Sequence, residues 1–240
     1  MKRLIIGAAI LALTAGSAFA QDIRMGTEGA YEPYNFVNDS GEVDGFEREV
    51  GDKLCEIAGY SCTWVTNDWD SIIPNLTSGN YDTIMAGMSI TDERKEKINF
   101  TEEYFPPDPS AHVALAGAGA DATSGNVAAQ VNTIQAGYVA DGNGTLVEFA
   151  TPDETIAAVR NGEVDSVLAD KAYLEKIVEE SNGELVFVGE DIMIGGGIGM
   201  GLRKSDTEML EKFNAAIAQM KSDGSLNTLI EKWFDRKGTY

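Results

Sequence analysis

Apolar residues recur along this chain at two spacings, and the switches between them predict its elements. Ile23 to Thr27 alternates like a strand and ends in the loop Glu28-Gly29-Ala30-Tyr31, which enters Pro33-Tyr34. Asn38-Asp39-Ser40-Gly41 is a turn signal. Phe46, Val50, Leu54 and Ile57 then fall at helical spacing, closed by Gly59. Cys62 to Val65 predicts another strand, followed by an Asn67-Asp68-Trp69 loop. Asp70 is placed to cap a helix through Leu76 that Gly79 stops, and Thr83 to Met85 is again a strand. Strand, loop and helix in repetition predict an α/β fold built on a parallel sheet.

The second half repeats the pattern after an interruption. Pro106-Pro107-Asp108-Pro109 continues neither a helix nor a central strand. A short strand, His112 to Ala116, precedes a Gly/Ala/Ser-rich stretch running to Gly125. Strands are then expected at Val131 to Gln135, Leu146 to Phe149, Ser166 to Ala169 (ending at Asp170) and Leu185 to Val188. Thr151-Pro152-Asp153-Glu154 is a capping box with proline at the first helical position, opening a helix to Arg160. A further helix follows Asp170 to Glu180. The glycine run from Gly195 to Gly201 has no Gly-x-Gly-x-x-Gly register and no Gly-Lys-Ser/Thr after it, so it reads as a return crossover rather than a phosphate loop. Ser205-Asp206-Thr207-Glu208 is a second capping box before a long helix through Met220, and Gly224 separates that helix from a last one ending at Trp233-Phe234. The organisation predicted is one lobe from 21–109 with 201–240, a second from 110–200, and two crossovers between them. Such a fold puts ligands at the carboxyl ends of its strands, where Glu28, Tyr31, Trp69, Gly87, Ser89 and Asp170 fall.

Composition narrows the compartment and the ligand. Residues 1–20 open on Met-Lys-Arg, continue through an apolar run from Leu4 to Leu13 and close on Ala18-Phe19-Ala20, the form of a secretory signal peptide with the mature chain starting at Gln21. The formal charge of −21 argues against nucleic acid, which needs a basic footprint. In an oxidising compartment a disulfide is the default reading for the closely spaced Cys55 and Cys62, ahead of a metal site or a reactive thiol. With one distant histidine, His112, they supply too few ligands for zinc, and no metal or cofactor is expected.

One stretch, Trp69 to Arg94, concentrates candidate chemistry. It holds an aromatic on a loop, a helix, a buried strand and a polar turn with Ser89, Thr91 and Arg94 after Ala86-Gly87. Guanidinium, hydroxyls and free backbone groups beside an aromatic suit a small carboxylate, since arginine's planar fork binds one bidentately. Taken alone, the run TDERKEK reads as a solvated helix face with Arg94 in water. The rest of the chain decides otherwise.

The segments GTEGAYEPYNF from Gly26, VDGFEREVGDKLCEIAG from Val43 and CTWVTNDWDSIIPNLTSGNYD from Cys62 resemble the periplasmic amino-acid-binding proteins of ABC importers. So do IMAGMSITDER from Ile84, the QAG at Gln135, GEVDSVLAD from Gly162 and GIGMGLRK from Gly197. The likeness is to the lysine/arginine/ornithine-, histidine- and opine-binding group, and it spans nearly the whole chain after Gln21. It implies the two-lobe periplasmic binding protein fold with two hinge crossovers, and a monomer that passes an amino acid to an inner-membrane permease. It implies that Arg94 takes the ligand's α-carboxylate with Ser89, and that Asp170 and the Gly87 carbonyl take its α-ammonium. Tyr31 and Trp69 would sandwich the side chain, Glu28 would meet its far end, and Ala86 and Met88 would flank them. A disulfide loop between Cys55 and Cys62 is also a family feature. The chain departs from the pattern after Gln135-Ala136-Gly137, where Tyr138-Val139-Ala140 replaces small hydroxyl residues and Gly142-Asn143-Gly144 interrupts the helix. Gly137 and Tyr138 are therefore expected in the pocket, with Tyr138 as a wall for a bulkier ligand such as an opine; the expected ligand is a polar, basic amino acid, with an opine or a polar neutral amino acid such as glutamine as alternatives. An enzyme on the same scaffold, such as a cyclic-acid dehydratase, would need Glu28 or Asp170 as its acid or base. With His112 outside the site and no activated nucleophile visible, no catalysis is expected.

Overall fold

The computed structural model describes residues 21–119 and 121–240; the predicted signal peptide lies outside them. The first lobe opens with β1 (Gln21–Thr27), a small three-stranded sheet of β2 (Ala30–Tyr31), β3 (Asn35–Val37) and β4 (Val43–Asp44), and helix α1 (Phe46–Ala58). It continues with β5 (Tyr60–Thr66), a single 3₁₀ turn (Trp69–Ser71), α2 (Ile72–Thr77), β6 (Thr83–Ile84), α3 (Asp92–Lys97) and β7 (Asn99–Phe105). The second lobe runs through β8 (Ser110–Leu115), β9 (Asn126–Gln130), α4 (Ile134–Asp141), β10 (Thr145–Phe149) and α5 (Pro152–Arg160), then β11 (Ser166–Asp170), α6 (Lys171–Glu180) and β12 (Leu185–Ile192). The chain then returns through β13 (Ile198–Leu202), α7 (Thr207–Asp223) and α8 (Ser225–Phe234).

Two five-stranded sheets result, in the orders β5-β1-β6-β13-β7 and β10-β9-β11-β8-β12. Both are mixed rather than parallel as expected. In the first, β1 runs parallel to β5 and β6 while β13 is antiparallel to β6 and β7; in the second, β8 is antiparallel to β11 and β12. The reason is the crossovers, 106–109 and 193–197, which deliver the chain into each sheet without an intervening helix and so without the turn back that a parallel pairing needs.

The apolar stripe of α1 packs Phe46, Val50 and Leu54 into a core that also takes Phe213, Ile217 and Met220 of α7 and Leu226 and Ile230 of α8, so the C-terminal helices complete the first lobe. Cys55 near the end of α1 is disulfide-bonded to Cys62 in β5, which staples that helix to the edge strand of its sheet.

Four local expectations are corrected. The glycine run is a crossover only through Gly197; Ile198, Met200 and Leu202 are buried, and the alternating glycines let β13 lie flush, since a Cβ on Gly199 would come 2.8 Å from Ile90. The first lobe's sheet is thus rejoined at Ile198, ahead of position 201. Val131 to Gln135 is not a strand: β9 ends at Gln130, and Thr133 caps α4 by accepting the Ala136 N–H. Asp70 caps no helix, because Trp69–Ser71 coils as a 3₁₀ turn that feeds α2 directly. The second capping box does not form either. Asp206 at the start of α7 pairs with Arg203 at 2.8 Å and the Ser205 hydroxyl turns onto Asp206. The Thr151–Glu154 box is present as read.

Candidate ligand-binding site

Loops at the carboxyl ends of β1, β5, β6, β9 and β11 meet around a cavity of about 30 Å³. Glu28, Tyr31, Trp69, Ala86, Gly87, Ser89 and Arg94 line it from the first lobe, and Gln130, Thr133, Ile134, Gln135 and Asp170 from the second. That is room for a few water molecules, so an amino acid must part the lobes to enter.

Arg94 is not in water. It is only 9% exposed, on the first turn of α3 behind its Thr91 cap. Its guanidinium donates to the Ser89 carbonyl at 2.9 Å and across the cleft to the Asn132 carbonyl at 3.2 Å, and lies over the Trp69 ring, 5.3 Å from its centroid. Among the described residues no carboxylate is in ion-pair contact with it. Burial lowers its pKa to about 10, against the raising effect of Asp170 and Glu93.

The acids of the site are the mirror image. Asp170, at the end of β11, accepts the Tyr31 hydroxyl at 3.0 Å on one oxygen and the Gln135 amide at 3.0 Å on the other. Burial pushes its pKa up to about 6, with the Tyr31 hydrogen bond opposing. Glu28 accepts the Gln130 amide from the opposite lobe at 2.6 Å, and burial pushes it up to about 7 against that bond. Neither acid has a basic side chain in ion-pair contact among the described residues. A buried cation and two partly buried acids, each held by neutral dipoles, are therefore arranged around one space.

The walls are aromatic, although each ring already has a neighbour. Tyr31 stacks on Tyr173 of α6 at 4.2 Å, and Trp69 carries Arg94. Gly87 needs its φ of +61°, which only glycine adopts without strain.

Three expected residues are not in this cavity. Met88, in the loop beyond the end of β6, is fully buried in the apolar cluster with Trp69, Ile72 and Leu76. Gly137 and Tyr138 face an outer groove, and Tyr138 is 44% exposed. They miss because α4 begins at Ile134, a turn earlier than read, so the hydroxyl opening the helix is Thr133, ahead of Gln135-Ala136-Gly137. Gln130, Thr133, Ile134 and Gln135 were the residues missed. The signal for them was Thr133 itself, a helix-capping residue just before an apolar run.

Residues 23–236 match the model of the bacterial extracellular solute-binding proteins, family 3. The chain belongs to that family. It is 30% identical to the L-arginine-binding protein of Pseudomonas aeruginosa, an alignment covering 98% of this chain and 97% of that protein. It is 29% identical to the lysine/arginine/ornithine-binding periplasmic protein of Escherichia coli, covering 98% of each. Among solved structures, a periplasmic His/Glu/Gln/Arg/opine family-binding protein from Silicibacter pomeroyi, in complex with lysine, superposes with a TM-score of 0.88 at 66% identity, over 91% of this chain and 100% of that one. The relatives named here are binding proteins rather than enzymes, and the two-sheet architecture is shared with the Silicibacter pomeroyi structure.

Proposed function

We propose that this chain captures a basic amino acid, lysine or arginine, in the periplasm and presents it unchanged to an inner-membrane ABC permease. One observation carries the reading. Among the described residues, buried Arg94 has no carboxylate in ion-pair contact, and the partly buried Asp170 and Glu28 have no cation in ion-pair contact, all on one cavity. Buried charges are costly unless paired, so a ligand bearing one carboxylate and two cationic groups is the complement this site lacks. The α-carboxylate goes to the Arg94 fork, the α-ammonium to Asp170, and the cationic end of the side chain to Glu28, with Tyr31 and Trp69 as walls.

The mechanism is closure on a hinge. Asp170 and Arg94 sit on different lobes, so only the closed arrangement lets one ligand touch both, and that differential affinity shifts the population toward it. Charge-assisted hydrogen bonds contribute about 1.5–3 kcal/mol each, and two or three make up much of the ~8 kcal/mol of micromolar binding. The names of the relatives, an arginine binder and a complex with lysine, agree with a basic ligand. The opine alternative depended on Tyr138 walling the cavity, and Tyr138 lies outside it.

The test is a thermal-shift panel on protein unfolded and refolded to remove carried-over ligand. Lysine, arginine, ornithine, histidine, glutamine, glutamate and opines are compared. Ligand at 100 times its dissociation constant stabilises by about 2.7 kcal/mol, a shift of several degrees. Basic amino acids should raise the midpoint and glutamate should not; a shift with glutamate or opines alone overturns the assignment.

A further inference from the structure

Beneath the cavity, and not lining it, is a buried acid that the binding reading leaves unused. Glu47 is fully buried in the first turn of α1. Its Oε1 accepts the Gly87 N–H at 2.8 Å and the Tyr104 hydroxyl, and its Oε2 accepts the Asn35 amide at 2.7 Å. Asn35 in turn accepts the Gly29 N–H on its own Oδ1 at 2.7 Å. One carboxylate therefore anchors two separate loops of the site. The loop of Gly87 carries Ala86 and Ser89, and the loop of Gly29 carries Glu28 and Tyr31.

We propose that Glu47 is the positioning residue of the ligand site, setting the distance between the carboxylate-binding loop and the loop that bears Glu28 and Tyr31. The role depends on a carboxylate and not merely on a polar group. Every partner of Glu47 is a donor, so only a group that accepts on both oxygens satisfies them all. A glutamine there would offer oxygen to one side and N–H₂ to the other. With the oxygen kept on Gly87, its amide faces Asn35; Asn35 must flip, and its own amide then confronts the Gly29 N–H. With the oxygen on Asn35, the Gly87 N–H loses its acceptor. Either way one loop is released, while the fold around α1 and β7 keeps its apolar packing. The proposal deepens the reading of the cavity as an amino-acid site, and its test is chosen to stand apart from that reading.

The experiment compares Glu47→Gln, Asn35→Ala and Tyr104→Phe with the wild type, using isothermal titration with L-lysine and L-arginine and the amide resonances of Gly29 and Gly87 in ligand-free protein. Tyr104→Phe removes a donor that leads to neither loop, so it should lower the melting temperature yet leave affinity within about threefold and both amides in place. Glu47→Gln should weaken binding at least about tenfold and displace the Gly29 or the Gly87 resonance. Asn35→Ala should move Gly29 most, and it carries the test if Glu47→Gln does not fold. Affinity losses that merely track lost stability across all three variants, or unshifted Gly29 and Gly87 amides in the Glu47 and Asn35 variants, overturn the proposal. Should neither amino acid bind the wild type, the ligand reading fails and the amide shifts alone decide the role of Glu47.

Discussion

The Tyr31 hydroxyl of the first lobe is bound to Asp170 of the second twice over, donating to its carboxylate at 3.0 Å and accepting its backbone N–H at 3.2 Å. In the closed protein the phenol thus holds the oxygen that the proposed function gives to an α-ammonium. A ligand must displace that donor, while the Tyr31 ring, stacked on Tyr173, can stay as a wall. Tyr31→Phe removes the competing hydroxyl and about 1 kcal/mol of ligand-free closure. Lysine should bind it at least as tightly as the wild type, up to about fivefold more tightly. A tenfold loss by titration calorimetry would mean that the hydroxyl contacts the ligand directly.

Arg94 separates stability from function. Among the described residues its desolvated guanidinium is compensated by two carbonyls and the Trp69 face, so the ligand-free protein bears part of its burial cost. Arg94→Met, similar in reach and apolar, should leave the melting temperature of the ligand-free protein unchanged or raise it by a few degrees. Binding should fall by at least about a hundredfold, the loss expected when a bidentate carboxylate partner is removed. Retention of wild-type affinity would remove Arg94 from the carboxylate role.

How far the sequence disclosed this site follows from what each residue depends on. Tyr31, Trp69, Ser89 and Asp170 follow elements whose periodicity is plain, so their loops could be placed at strand ends and the lobes inferred from the punctuation between them. Arg94 was the exception, because a charged hexamer such as DERKEK does not say which of its side chains turns inward; Thr91, as cap, sets that phase. Gln130 and Thr133 were lost to a strand placed late: Ala128 to Gln135 holds too little contrast between apolar and polar to fix where β9 stops. The direction of β8 and β13 was equally hidden, because pairing sense is set by crossovers and not by the residues of a strand. Glu47 reads as an ordinary first-turn acid on α1 until the fold brings Asn35, Gly87 and Tyr104 to it.

The acids predict opposite pH responses for folding and binding. Glu28 and Asp170 hold protons to about 7 and about 6, each raised chiefly by burial, whereas an unfolded chain releases them near about 4. Their folded pKa values lie above the unfolded ones, so the folded state binds more protons across this window. Their contribution to stability is full at low pH and is lost as pH rises through about 7. Capture of a cation needs the ionised forms and runs the other way. Affinity for lysine should weaken as pH falls from about 8 to about 5, and binding near neutrality should release protons, visible as a buffer-dependent calorimetric enthalpy. An affinity constant over that range would show that neither acid meets a cationic group.

The two faces of α4 give the last prediction. Thr133 caps the helix and lines the cavity, so the helix N-terminus, with its free N–H groups, is directed toward the side of the site where Arg94 lies. Thr133→Val keeps the shape but loses the cap, which should cost about 1 kcal/mol of stability and weaken carboxylate binding several-fold. Tyr138, about one turn further on and exposed to the outer groove, should be neutral: Tyr138→Ala should bind lysine within about twofold of the wild type. Calorimetry on the two variants side by side reads both faces of the helix. A strong effect at Tyr138 with none at Thr133 would return the pocket to the later register expected from Gln135-Ala136-Gly137, and with it the case for a bulkier ligand.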